Sequence, residues 1–340
     1  MRSSGTAVLP PVALLAVALV VVLGGTARAA DVKLEVSSTP AKAEVPVGES
    51  IEVEVTVKNA GAEEAELTEL AFDARSVSFE LSVDGGRTAW DTQFHVDPPK
   101  SNMEPDPMRP LKRDKLKAGE SWKKTFTIPA IAAGAWSIRA VYGGSVEAPR
   151  SLSVLADPAR IAKVKEAEAK TVKVTPGPNG EAEVVCKLTT NLGTFTMRFF
   201  PKDALATGIN FVRVAQKGLY EGKRFFRNAQ DLQVLQGGAD NGSAFFEWGI
   251  PLEQNLKHKA LMVAMARGES TNSAGAQFYI VYGGLAAQLD RENGYAVFAQ
   301  IVKGKDVVET MCSIKPRQGG QEPSAPITIE STKVQLAPKE

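Results

Sequence analysis

Histidine and cysteine are nearly missing from this chain, two of each in 340 residues, and neither sign of charge is in excess, with 40 basic against 39 acidic residues. His95 and His258 have no companion ligands near them in sequence, which argues against a metal site. Charge balance without a long single-sign run argues against nucleic acid as a partner. Cys186 and Cys312 are too few for a disulfide-dense scaffold. They stand as either one bridge or two buried thiols, because sequence does not measure their separation.

Long apolar runs are missing too, with one exception. Val12 to Leu23 follows Arg2 and precedes Ala27-Arg28-Ala29, the order of a secretory signal with an A-x-A cleavage site. The run is shorter than the roughly 20 residues of a spanning helix. Residues 1–29 are therefore expected to be removed, leaving a periplasmic or secreted protein without stable membrane insertion. Setting aside Arg2 and Arg28 leaves 38 basic residues against 39 acidic ones. The remaining chain exceeds what one hydrophobic core usually organises, so two domains are expected.

Residues 30–155 read as β throughout. Ile51, Val53, Val55 and Val57 alternate with charged or hydroxyl residues, the pattern of a strand with one buried face. Val45 to Ser50 supplies a turn before this strand, Lys117 to Ser121 repeats the grammar before Trp122, Phe126 and Ile128, and Asp84-Gly85-Gly86 marks a hairpin. Short strands at this density suggest a sandwich, and Gly134 to Tyr142 looks like a late strand of an immunoglobulin-like module. Such a module binds or spaces, leaving room for an envelope protein as its partner. Asp97 to Pro110 is a proline-rich loop, and His95 reads as a surface residue. Residues 156–181 are expected to be a linker with a short helix: Asp157 and Pro158 suit its start, and Glu166 and Lys170 stand at i,i+4.

Residues 182–338 carry the chemistry. Val184–Thr189 and Thr194–Phe200 flank Asn191-Leu192-Gly193 as a hairpin, and Ile209, Val212, Ala215 and Leu219 have helical spacing. Then follow Phe225-Phe226-Arg227, Gln236-Gly237-Gly238, Met265-Ala266, Gln277-Phe278-Tyr279-Ile280, Leu289-Asp290 and Val297-Phe298. In order and spacing these fragments resemble the cyclophilins, the β-barrel family of peptidyl-prolyl isomerases, over Val184 to Val334. The resemblance implies a mainly β protein whose second half is an eight-stranded antiparallel barrel with two capping helices and a groove on its outer face.

The resemblance assigns catalysis to Arg227, Gln236 and Gln277, and substrate contact to Val234, Ala266, Arg267, Phe278, Tyr279, Leu289 and Tyr295. One extra residue between Arg227 and Gln236 leaves the usual pocket phenylalanine matched by either Leu232 or Gln233. Phe226 and Tyr295 stand where many members have histidine, Arg267 where they have asparagine, and Gln288 where they have tryptophan. Losing that indole predicts weak binding of cyclosporin-type macrocycles.

The implied activity is cis–trans isomerisation of X-Pro bonds in unfolded or extended exported chains; the alternative is a barrel that binds Pro-containing peptides with little turnover. No cofactor is needed, because rotation about a conjugated C–N bond requires neither nucleophile nor metal. A hydrolase triad around His258 would need a serine and a carboxylate brought to it by geometry that no motif supplies.

Overall fold

Alternating β-branched residues dominate the first half, and they form two facing sheets in the computed structural model, which describes residues 33–68, 77–86, 89–91, 113–142, 165–176, 182–238, 250–269, 271 and 273–338. The first sheet runs β1 (Leu34–Pro40), β3 (Ser50–Asn59), β8 (Ser121–Pro129). The second runs β2 (Glu44–Pro46), β11 (Lys170–Thr175), β9 (Gly134–Tyr142), β5 (Val77–Val83), β6 (Ala89–Asp91), with β10 (Lys165–Glu166) also paired to β9. A small third ladder joins β4 (Ala65–Thr68) to β7 (Arg113–Leu116). Ile51, Val53, Val55 and Val57 are all buried, as the alternation requires, opposite Trp136, Ile138 and Leu81 of the second sheet. Phe79 and Phe126 join the layers edge-on, 5.3 Å between ring centroids. The expected turns form, with Gly48, Gly85 and Gly119 all at positive φ.

The linker expectation is corrected. Lys165–Glu166 and Lys170–Thr175 are strands, so the sandwich continues past residue 155 to Thr175. Val172 and Val174 are buried and face the core from β11, a period-two pattern that outweighs the good helix formers just before it. Lys170 pairs with Glu168. The expected signal segment, His95, the expected proline-rich loop and the expected helix start at Asp157 lie outside the described residues.

The second half closes into an eight-stranded antiparallel barrel. Its order is β12 (Ala182–Thr190), β13 (Gly193–Phe199), β18 (Val297–Lys303), β16 (Met262–Met265), β17 (Gln277–Val281), β15 (Val234–Gly238), β14 (Arg224–Ala229), β19 (Ile327–Pro338). Closure leaves no exposed edge. Helix α1 (Leu205–Gln216) drives Phe211 into the aromatic interior, 5.3 Å from Phe278 and 5.2 Å from Phe298 between centroids. Glu253 accepts from the Ala206 and Thr207 amides at the start of α1, where a carboxylate suits the helix dipole. Asn210 donates to Gly275 O at 2.8 Å and so ties α1 to the chain entering β17. Helix α2 (Lys305–Ser313) buries Val308 and Met311.

Sandwich and barrel pack together: Asp31–Glu340 form one compact unit. The Ile131 side chain lies so close to Gly208 of α1 that a Cβ there would stand 3.1 Å from it, Leu336 covers Gly48, and Lys202 pairs with Asp84 at 3.5 Å. Of these barrel residues Gly208 lies on α1, Leu336 on β19 and Lys202 in the turn after β13, none of them on β15, β16 or β17.

Candidate active site

Strand alternation alone would put Phe225 and Arg227 on the same face of β14. The register prevents it: Phe225 pairs with Gly237 and Arg227 with Gln236, so Phe226 is the extra residue of a bulge. Phe225 therefore points into the barrel, edge-on to Phe278 at 5.6 Å, while Arg227 stands on the outer wall. Gly237 is required opposite Phe225, because a Cβ there would lie 2.7 Å from that ring.

Gln236 faces Tyr279 across β15 and β17, and Tyr279 faces Ala264 of β16. Arg227, Gln236, Tyr279 and Ala264 thus form one row across the outer wall, and Gln277 shares the face two residues before Tyr279. Arg227 Nη1 donates to Gln236 Oε1 at 3.1 Å, and Gln236 Nε2 donates to Gln277 Oε1 at 2.8 Å. Arginine can only donate, so it turns the Gln236 oxygen toward itself and the amide nitrogen toward Gln277. A second contact comes from a residue the motif pattern does not contain: Arg227 Nε donates to Gln321 Oε1 at 2.6 Å. Among the described residues no carboxylate pairs with Arg227, so its charge is not neutralised by a neighbour.

Beside this polar line lies an apolar cluster separate from the barrel interior. Val234, Tyr279 and Leu289 belong to it, with Leu232, Ala266 and Tyr295 packed against them. Tyr295 meets Tyr279 edge-on at 5.8 Å. Two expectations need correction. Phe278 is fully buried inside the barrel, the opposite face from Tyr279, and so cannot line the groove. Gln233 adopts a left-handed conformation with φ of 53°, and its Oε1 accepts from the Leu285 amide at 3.0 Å, so its side chain serves the 3-10 helix Gly284–Asp290. Of the two residues left open by the extra one, Leu232 is the one that packs against the outer cluster.

Arg267 donates to the carbonyls of Gly294 at 2.8 Å, Gly268 at 2.8 Å, Glu269 at 3.0 Å and Asn293, and its guanidinium lies 5.1 Å from the Tyr295 ring centroid. It therefore fastens the turn carrying Tyr295 to the end of β16. Gln288 donates to Asp231 O at 3.1 Å, a bond between the 3-10 helix and the turn after β14.

His258 also acquires a role that its sequence context did not reveal. Its side chain is fully buried, with Nδ1 2.7 Å from Asp290 Oδ1 and Nε2 2.7 Å from the Tyr279 hydroxyl. Both ring nitrogens are thereby committed, and among the described residues no serine meets them, which argues against the triad reading. Burial pushes the Tyr279 phenol well above its usual value, with Tyr295 and Asp290 adding to the effect, so the hydroxyl stays neutral. The available signal was tyrosine itself: on a buried strand its hydroxyl calls for a partner.

Cys186 and Cys312 are free thiols, not a bridge. Both are pushed up to about 12, chiefly by burial.

Residues 185–334 match the family model described as cyclophilin type peptidyl-prolyl cis-trans isomerase/CLD. A peptidyl-prolyl cis-trans isomerase A from Dickeya dadantii is 30% identical over 157 residues, 43% of this chain and 82% of the relative. A Streptomyces antibioticus peptidyl-prolyl cis-trans isomerase is 29% identical over 160 residues, 44% of this chain and 96% of the relative. A Neurospora crassa peptidyl-prolyl cis-trans isomerase-like 2 is 30% identical over 161 residues, 45% of this chain but only 26% of that longer protein. With the barrel, the bulge-directed arginine and these likenesses in hand, the chain belongs to the cyclophilin-type peptidyl-prolyl cis-trans isomerases.

Proposed function

We propose that the barrel isomerises X-Pro bonds in extended or unfolded polypeptides after export, and that Arg227 is its catalytic residue. The observation that carries this reading is a guanidinium held by two neutral glutamines beside an apolar dimple. The barrier to rotation, about 18–20 kcal/mol, comes from conjugation of the nitrogen lone pair with the carbonyl. An un-neutralised cation near the prolyl nitrogen stabilises the pyramidal, deconjugated state, and it does so more than the planar ground state. Arginine suits the task because it keeps its charge and presents a fixed fork of donors. Val234, Leu232, Tyr279 and Leu289 receive the ring, while Gln236, Gln277 and Ala266 hold the flanking backbone.

Export rests on the signal-like order of residues 1–29, and a periplasmic or secreted location follows from it. The sandwich is read as an immunoglobulin-like module that recruits clients or an envelope partner.

A protease-coupled assay on an X-Pro peptide, with Arg227→Ala and Arg227→Lys beside the wild type, tests the catalytic reading. Loss of the guanidinium is expected to lower kcat/KM roughly 10²–10³-fold, the scale of removing one transition-state donor. Lysine should recover little of it. Equal rates for wild type and Arg227→Ala would reject catalysis and leave a peptide-binding barrel. Fractionation of cells carrying the full chain tests export, and cytoplasmic full-length protein would reject it.

A further inference from the structure

Gln321 lies 94 residues from Arg227 in sequence, in a segment that joins α2 to β19, yet it makes the shortest hydrogen bond to the guanidinium. The segment is a tight hairpin. Ser324 N donates to Lys315 O at 2.9 Å, Arg317 N to Glu322 O at 2.8 Å and Gly320 N to Arg317 O at 3.1 Å, and Pro316 bridges Pro323. Glu322 pairs with Arg317 at 3.6 Å and with Arg224 at 3.9 Å, so the carboxylate nearest in sequence to Gln321 is drawn to other cations.

The hairpin is fastened to β14 by backbone. Asn228 N donates to Gln321 O at 2.6 Å, and the buried Asn228 side chain donates to Cys312 O and Ile314 O at 3.1 and 2.9 Å while accepting from the Tyr282 hydroxyl at 2.8 Å. Gln321 is therefore located by its main chain, and its side-chain amide is available for another purpose. That purpose is visible: Oε1 takes the Nε–H of Arg227 and Gln236 takes one Nη1–H, which leaves the other N–H groups of the fork without an acceptor among the described residues.

We propose that Gln321 is a positioning residue for isomerisation, which fixes the plane of the Arg227 guanidinium through Nε without neutralising its charge. A carboxylate in the same place would hold the arginine more tightly but cancel the field that acts on the prolyl nitrogen. Neutral acceptors on both sides orient the cation and leave its charge for the substrate. The inference rests on the catalytic reading of Arg227.

The test compares Gln321→Met, which keeps the length but removes the acceptor, with Gln321→Glu, which keeps the shape but adds charge. Each is assayed on an X-Pro peptide well below its melting midpoint, with Arg227→Ala in parallel. Gln321→Met is expected to lower kcat roughly ten- to hundredfold, the range for a hydrogen bond to a charged group, with KM within about twofold. Gln321→Glu should lower it further. In the wild type the Arg227 Nε–H resonance should exchange slowly with water, and in Gln321→Met it should exchange faster, which reports the loss of the bond itself, while the kcat-against-KM split and the Gln321→Glu result separate positioning from a purely structural role. Wild-type kcat in both variants alongside an inactive Arg227→Ala would overturn the role of Gln321 and leave catalysis by Arg227 intact. A change confined to KM would overturn it as well. An active Arg227→Ala would remove the catalytic reading and this inference together.

Discussion

The inner and outer faces of β14, β15 and β17 share a backbone and differ in almost everything else. Inward, Phe225 and Phe278 join Phe211 and Phe298 in a ring-on-ring interior without a polar partner among them. Outward, Arg227, Gln236, Gln277 and Tyr279 each spend a polar group on a named neighbour. The inner face holds the fold by exclusion of water, and the outer face holds a geometry by hydrogen bonds. The single bulge at Phe226 lets one strand contribute to both within three residues. In a regular strand, the arginine would follow Phe225 into the barrel, where an unpaired cation is untenable.

The strongest test of this division removes a ring from the inside. Phe278→Ala should destabilise the protein by about 3–5 kcal/mol through lost transfer energy and the cavity left among Phe211, Tyr220 and Phe225. Arg227→Ala, by contrast, should change stability by about 1 kcal/mol or less, since its side chain sits at the surface. Chemical denaturation of both variants checks the pair. Equal losses would mean that the outer line is part of the core after all.

Much of this was legible in the sequence, and the reasons differ by region. Gln236 and Gln277 are legible through the order and spacing of the fragments that resemble the cyclophilins. The valine alternation of β3 announced its buried face just as directly. The inward turn of Phe278 was not legible. It depends on which of two adjacent residues faces Gln236, and one slip in register moves every side chain to the other face. Strand β11 was hidden for a different reason: Lys165 to Lys170 favours a helix locally, and only pairing with β9 and β2 draws the following residues into a sheet. Gln321 was invisible because a glutamine in a polar turn has no pattern until the hairpin folds back on β14.

A smaller effect is expected from the Asp290–His258–Tyr279 line, which joins the outer face to a buried histidine. Tyr279→Phe leaves His258 Nε2 without its partner in a site closed to water, and should reduce stability by about 1–3 kcal/mol. The ring itself remains, so KM for an X-Pro peptide should move less than about twofold if the hydroxyl acts only on the histidine side. A large rise in KM with unchanged stability would place the hydroxyl in the groove and break the distinction drawn here.

Gln288 offers a gain rather than a loss. It is tied to Asp231 O and presents an amide where the resemblance anticipates an indole. Gln288→Trp should tighten binding of a cyclosporin-type macrocycle by about tenfold or more, given roughly 1.5–3 kcal/mol for burying a large apolar side chain. Calorimetric titration of both proteins would show it. An unchanged affinity would mean that the outer apolar cluster is complete without the ring.

The smallest effect is expected from the cysteines, which lie on the packed side of the comparison. Cys186 is buried in the barrel core and Cys312 lies on α2 against it, and burial holds both up to about 12 from an ordinary 9.0. A raised thiol means that the folded protein keeps its proton where the unfolded chain has lost it, so the stability contribution is whole below about pH 9 and declines from there toward pH 12. At neutral pH neither group supplies much thiolate, and iodoacetamide should modify the native protein slowly. Unfolding without reductant should then expose two alkylatable thiols by mass spectrometry, and substituting Cys186 with alanine should flatten the alkaline decline. Absence of adducts after unfolding would mean that the two sulfurs are joined, and the barrel interior would have to be redrawn around that bond.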